Sequence, residues 1–144
     1  MMKVSYICNK RMGILNNFFG KREVNSSKEE EKSFLRWLPL TSINQLEEIK
    51  ELSKTESIFI FKHSTRCGIS RILIKQFERL FTEEHQKLKV YYLDLLNYRS
   101  VSNEVENSFQ VIHQSPQLLV IKNGVSIFNV SHNDISTINL SKFI

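Results

Sequence analysis

Cysteine is scarce in this sequence, and its scarcity excludes several kinds of site. The 144 residues contain two cysteines, Cys8 and Cys67, which lie far apart and form no Cys-x-x-Cys pair. The histidines have no His-x-x-x-His spacing, so a zinc site has no support in the sequence. A structural disulfide is also not expected in a reducing compartment.

Long apolar runs and a strong charge imbalance are missing as well. The longest apolar runs, such as residues 57–61, are strand-sized, whereas a bilayer span needs about 20 residues. Residues 1–14 have basic side chains but no apolar core and no small-residue cleavage site, which argues against export. More than half of the net charge of +5 falls in residues 1–32. We therefore expect a cytoplasmic protein with no membrane span and no nucleic-acid partner.

Residues 1–32 lack any sustained apolar period, so they are predicted to form a flexible N-terminal arm, disordered or loosely helical. Residues 33–144 are predicted to form one domain. There the pattern alternates between strands and helices. Strands are expected at residues 34–38, 57–62, 90–93, 118–122 and 125–130, the last two joined by an Asn123-Gly124 hairpin turn.

Three helices are predicted between these strands and a fourth after them. Thr41 or Ser42 is expected to cap the first, and Ser102 the third. The second is expected from Cys67 to about Glu84, and a closing helix from Asp134. The inner face of the second is predicted to carry Ile69, Ile72, Leu73, Phe77, Leu80 and Phe81. This order predicts an α/β domain with a central mixed β-sheet flanked by helices on both faces.

Cys67 is the residue most suited to chemistry. It follows a buried strand and a short polar turn and opens a long helix. Unpaired backbone N–H groups and a helix dipole of roughly +0.5 charge at this end favour the thiolate over the thiol. Arg66, Arg71 and His63 add positive potential. The sequence thus predicts a nucleophilic sulfur able to attack a disulfide.

Ser70 stands three residues after Cys67, where a dithiol oxidoreductase carries its resolving cysteine. A hydroxyl cannot form the intramolecular disulfide that releases a substrate. A mixed disulfide on Cys67 would therefore be resolved by a second thiol from outside the site. Ser70 itself is interpreted either as a hydrogen-bond donor to the thiolate or as an ordinary first-turn serine.

Four blocks of sequence carry a family resemblance: Phe61–Ser70, Tyr92–Arg99, Val111–Gln117 and Ser131–Ile135. They resemble the YtxJ-like monothiol bacilliredoxin family, thioredoxin-fold proteins of low-molecular-weight-thiol metabolism. The resemblance implies a thioredoxin-like fold and removal of bacillithiol, a thiol built from cysteine, glucosamine and malate, from modified protein cysteines. Bacillithiol would be a co-substrate, with no bound cofactor, and Cys67 the attacking thiol.

The malate end of bacillithiol is anionic, so we expect Lys62, Arg66 and Arg71 to bind its carboxylates. His63 is a further candidate substrate-binding residue beside the cysteine, although a surface hydrogen-bonding role is the simpler interpretation.

Ser115 and Pro116 precede the hairpin, where a thioredoxin fold keeps a cis proline. A cis bond would turn the backbone of Ser115 toward the cysteine, ready to bind a substrate or thiol, whereas a trans turn proline is the alternative.

Two other functions stay open at this point. The Cys67-Gly68-Ile69-Ser70 turn also resembles the Cys-Gly-Phe-Ser turn of monothiol glutaredoxins, which bridge an iron-sulfur cluster between subunits. A redox-inert thioredoxin-like binding module is the third possibility. The flanking blocks favour the bacilliredoxin, and the sequence makes no prediction of oligomeric state.

Overall fold

The computed structural model of the protein describes residues 32–144. The arm expected over residues 1–32 lies outside the described residues apart from Lys32, and so does Cys8. Within residues 32–144, no helix is long and apolar enough to cross a membrane.

One five-stranded sheet forms the centre of the domain, with the strand order β1-β3-β2-β4-β5. Strands β1, β3 and β2 run parallel, β4 runs antiparallel to β2, and β5 runs antiparallel to β4. The sheet is therefore mixed, as predicted. The strands are β1 Trp37–Pro39, β2 Ile58–His63, β3 Lys89–Asp94, β4 Gln117–Lys122 and β5 Val125–Ser131.

Helices cover both faces of this sheet, which confirms the predicted architecture. Helices α1 (Asn44–Leu52) and α3 (Arg99–Phe109) pack on one face through side chains such as Ile49 and Val105. Helix α2 (Gly68–Arg79) packs on the other through Phe77. The C-terminal segment shares that second face.

The Asn123-Gly124 turn joins β4 to β5 as the sequence predicts. Both residues have positive φ, 51° and 76°, the conformation that asparagine and glycine adopt most readily in two-residue hairpins. Their backbone N–H groups donate to the carbonyl and to the hydroxyl oxygen of Ser53, each at 2.8 Å. The hairpin is thereby tied to the end of α1.

The predicted helix caps are wrong. Helix α1 begins at Asn44, after both Thr41 and Ser42. The side-chain oxygen of Gln45 instead accepts hydrogen bonds from the backbone N–H groups of Thr41 and Ser42, at 2.8 and 3.1 Å. Because α3 already begins at Arg99, Ser102 lies inside the helix and cannot cap it. Its side chain is buried.

The ends of two predicted helices also differ. Helix α2 stops at Arg79, and Thr82 then opens a short 3₁₀ helix, Glu83–His85, whose His85 ring accepts from the Thr82 N–H at 3.1 Å. The expected closing α-helix consists of two 3₁₀ helices, His132–Thr137 and Leu140–Phe143. In the first of them, serine and threonine hydroxyls donate to nearby backbone carbonyls, which competes with regular helix.

The inner face of α2 agrees with the predicted one at Leu73 and Phe77 and differs from it at Ile69 and Ile72. Ser70, Leu73 and Phe77 are its buried residues, whereas Ile69 and Ile72 are 61% and 60% exposed. Residues 70, 73 and 77 form one stripe at helical spacing, and each isoleucine lies one position, or about 100°, away from it. The two isoleucines therefore face outward near the start of the helix.

This orientation predicts unequal costs for shortening apolar side chains of α2. Phe77→Ala should lower the free energy of unfolding by about 3–5 kcal/mol because it leaves a cavity in the core. Ile72→Ala should change it by less than about 0.5 kcal/mol because the side chain is already in water. Urea denaturation of both variants tests this, and comparable losses would contradict the assigned face.

Candidate active site

The antiparallel pairing of β2 with β4 brings the two predicted site segments to the same end of the sheet. Lys62, near the end of β2, lies opposite Gln117, the first residue of β4. The turn to Cys67 leaves β2 one residue after Lys62, and Pro116 immediately precedes Gln117. The 115–116 loop therefore lies beside the segment that leads into the cysteine turn.

Cys67 lies at the amino end of α2, as predicted. Its backbone is extended, with φ −94° and ψ 120°, and its side chain is half-buried. The Cys67 N–H donates to the Ser64 carbonyl at 3.2 Å, and the Cys67 carbonyl accepts from the Arg71 N–H at 3.2 Å. The sulfur thus sits on the residue that starts the helix, where the first N–H groups lack helical partners.

Gly68 leaves the surface next to the cysteine open. A Cβ atom built on this glycine would meet nothing within 4 Å. Arg66 and Arg71, on either side of Cys67 in sequence, are both exposed. Their binding of an anionic group stays a prediction.

Ser70 is fully buried and has partners of its own. Its hydroxyl lies 2.7 Å from Nδ1 of His63 and accepts from the Ser64 N–H at 3.3 Å. When His63 is neutral and carries its proton on Nε2, its Nδ1 accepts a hydrogen bond from the Ser70 hydroxyl. In that arrangement Ser70 braces the first turn of α2 and has no proton left for the Cys67 sulfur.

His63 is buried at 4% exposure, so the surface role considered for it is wrong. Burial lowers its pKa from the ordinary 6.5, Arg71 lowers it further, and the carboxylate of Asp94 opposes the shift. Its ring also lies against the rings of Phe61 and Tyr92. The neutral imidazole is therefore the favoured form, which suits an acceptor for Ser70.

Lys62, which the sequence predicts to bind a substrate carboxylate, lies in the interior of the domain. All six residues of β2 are buried, and Lys62 is 0% exposed. Its Nζ lies 2.9 Å from Nδ1 of His113 and 3.5 Å from Oε1 of Gln117. Burial lowers its pKa to about 8, an effect that Glu106 partly offsets. An ammonium held in the interior does not fit direct binding of a substrate carboxylate.

The peptide bond between Ser115 and Pro116 is cis, as the fold resemblance implies. Pro116 is buried and Ser115 is half-buried. The Pro116 carbonyl accepts from the His132 N–H at 3.1 Å, which joins this loop to the end of β5.

Gln117 is a site residue that the sequence analysis missed. Its Oε1 accepts from the Gln114 N–H at 3.2 Å, and its Nε2 donates to the Ile112 carbonyl at 3.1 Å. Both bonds shape the loop around Pro116. The available signal was a polar side chain directly before the apolar run 118–121, because an amide buried with that run needs hydrogen-bond partners.

Within the part of the chain that the structure describes, no group of three or more His, Cys, Asp or Glu side chains could hold a metal ion. Cys67 is a free thiol. The site therefore combines one half-buried sulfur, two exposed arginines and a loop held by internal hydrogen bonds.

Comparison with protein families gives one match. The family model described as "Monothiol bacilliredoxin BrxC" matches residues 38–140, which include all eight predicted site residues.

Solved structures give a consistent result. A thioredoxin-fold protein described as a candidate oxidoreductase is 32% identical, with 73% of this chain and 88% of that chain covered and a TM-score of 0.60. Thioredoxin from Schistosoma mansoni is 21% identical, with 78% and 99% covered and a TM-score of 0.60. Thioredoxin from Malassezia sympodialis is 23% identical, with 69% and 81% covered and a TM-score of 0.56. The fold is the thioredoxin fold.

The buried His63 and the half-buried His113 predict that stability depends on pH. The pKa values of His63 and His113 both lie below the ordinary 6.5, chiefly because of burial. Below about pH 6.5 the unfolded chain binds protons that the folded chain does not, so stability falls as pH falls toward the folded pKa values. The free energy of unfolding in urea should therefore be lower at pH 5.5 than at pH 7.5. The double variant His63→Gln/His113→Gln should reduce this difference, and an unchanged difference would contradict the assignment.

Proposed function

Because the chain belongs to the monothiol bacilliredoxin family, we propose that it removes bacillithiol from protein mixed disulfides through Cys67. The observation that carries the proposal is that the sulfur of Cys67 lies at the start of α2 while the resolving position holds Ser70, a hydroxyl bonded to His63. The proposed place of action is the cytoplasm, where thiols are kept reduced. The proposed partners are bacillithiol-modified proteins and free bacillithiol.

The reaction consists of two thiol-disulfide exchanges. In the first, the Cys67 thiolate attacks the bacillithiol sulfur of the mixed disulfide. A new disulfide forms between Cys67 and bacillithiol, and the substrate cysteine leaves as a thiolate that takes a proton from water. In the second, the thiolate of free bacillithiol attacks the bacillithiol sulfur on Cys67. The products are bacillithiol disulfide and the Cys67 thiolate, so each step breaks one disulfide and forms another.

Ser70 supports the one-thiol scheme by its contacts. Its hydroxyl is bonded to His63 and Ser64 in the interior and offers no sulfur for an internal disulfide. The adduct on Cys67 therefore waits for a thiol from solution.

Arg66 and Arg71 are the proposed partners of the malate carboxylates. Both are exposed, and both flank the cysteine in sequence. A guanidinium group presents paired N–H donors that match a carboxylate, and such charge-assisted bonds are stronger than neutral ones. Lys62, also considered for this role, is buried and is not part of this proposal.

The first test asks which of Cys67 and Ser70 the attack requires. Cys67→Ser should abolish transfer of bacillithiol from a modified substrate to the protein because the nucleophile is gone. Ser70→Ala should retain transfer, within about 10-fold in rate, because its hydroxyl takes no part in the attack. Mass spectrometry of the trapped adduct measures both. Abolished transfer in Ser70→Ala, with the variant still folded, would refute the scheme.

The second test addresses recognition of the anionic cap. The variants Arg66→Gln and Arg71→Gln should raise KM for a bacillithiol mixed disulfide by about 10-fold, since a charged hydrogen bond contributes about 1.5–3 kcal/mol. KM for the same peptide capped with neutral β-mercaptoethanol should change little. Lys87→Gln is the matched control because Lys87 is exposed and lies beyond the far end of α2. Equal effects on both caps would rule out carboxylate binding by the arginines.

A further inference from the structure

Lys62 is a fully buried charged side chain for which the exchange reaction has no use. It belongs to β2, the strand that leads into the cysteine turn, and its exposure is 0%. Burying an ammonium is costly, and an apolar side chain of similar volume often gives equal or greater stability. The contacts of this ammonium are therefore the place to look for its role.

Those contacts run from β2 to the loop of residues 112–117. Nζ of Lys62 donates to Nδ1 of His113 at 2.9 Å and to Oε1 of Gln117 at 3.5 Å. The same Oε1 accepts from the Gln114 N–H, and Nε2 of Gln117 donates to the Ile112 carbonyl. One connected set of hydrogen bonds thus fixes four residues of the loop, Ile112, His113, Gln114 and Gln117, relative to β2.

We propose that Lys62 is a positioning residue: its ammonium anchors the 112–117 loop to the strand that leads to Cys67 and so holds the Ser115 backbone in place for the substrate. The inference rests on the proposed function, because the substrate is the mixed disulfide that Cys67 attacks. Lys62 acts through His113 and Gln117 and contacts no reacting atom.

The charges around Lys62 support this role. His113 has its pKa lowered by burial and by Lys62, so its ring stays neutral and Nδ1 can accept a hydrogen bond. Glu106 on α3 raises the pKa of both groups, and Arg99 on the same helix lowers that of His113. A neutral histidine facing a lysine ammonium is therefore the arrangement favoured near neutral pH.

The test replaces Lys62 by methionine, which is similar in length and carries no charge. The melting temperature of Lys62→Met should equal or exceed that of the wild type. Alkylation of Cys67 by iodoacetamide, a small neutral reagent that needs no loop, should stay within about twofold. KM for a bacillithiol-modified peptide should rise by about 10-fold or more while kcat changes less, as expected for lost binding geometry. Lys122→Met is the matched control, because Lys122 is partly exposed and lies at the other end of β4 from Gln117.

Two further readouts report on the anchor itself. The Gln114 amide should exchange its hydrogen faster in Lys62→Met, because the loop it belongs to is less constrained. The His113 pKa, followed by NMR of its ring, should rise in the same variant because a neighbouring positive charge is gone. His113→Ala, at the partly exposed end of the contact, should reproduce the KM and amide effects without changing the core.

The outcomes distinguish failure of the anchoring role of Lys62 from failure of the proposed function. Wild-type KM and wild-type Gln114 protection in Lys62→Met would overturn the anchor. An equal loss of iodoacetamide reactivity would also overturn it, because Lys62 would then act on the sulfur. If Lys62→Met melts below the wild type, His113→Ala decides by the same criteria. If the wild type itself exchanges no bacillithiol, the proposed function fails, and the amide and His113 measurements still confirm or refute the anchor.

Discussion

The site depends on the antiparallel pairing of β4 with β2. This one contact sets Lys62 opposite Gln117, so the chain leaving β2 toward Cys67 and the chain entering β4 from Pro116 meet at the same edge. A one-residue slip in this register would move Lys62 to the other face of the sheet. The packing of α2 and the bonds around the 112–117 loop both build on that alignment.

Two hydrogen-bonded clusters, one around His63 and one around Lys62, lie on opposite sides of β2. Successive residues of a strand point to opposite faces, so Lys62 reaches toward the side of α3 while His63 reaches toward α2. The His63 cluster braces the helix start through Ser70, and the Lys62 cluster reaches the loop through Gln117. Adjacent residues of one strand thus support the two halves of the site separately.

Sequence reasoning predicted the features that depend on local chemistry. Strand-helix alternation, the Asn123-Gly124 turn and the position of Cys67 at a helix start all follow from patterns a few residues long. It failed where tertiary packing chose among local options. Both isoleucines near the start of α2 have helical spacing suited to a core, yet Ser70 took the inward position because His63 offers it a partner. The partners of Lys62 could not be predicted either, since they lie 51 and 55 positions away along the chain.

The surroundings of Ser70 also constrain how this active site can evolve. A cysteine at position 70 would place a larger, weakly hydrogen-bonding sulfur where an oxygen now lies 2.7 Å from the His63 ring, in a pocket closed to solvent. The Ser64 N–H would lose a good acceptor in the turn that carries Cys67. Acquiring a second working thiol would thus require a compensating change at position 63, so the route from one-cysteine to two-cysteine chemistry takes at least two coupled substitutions.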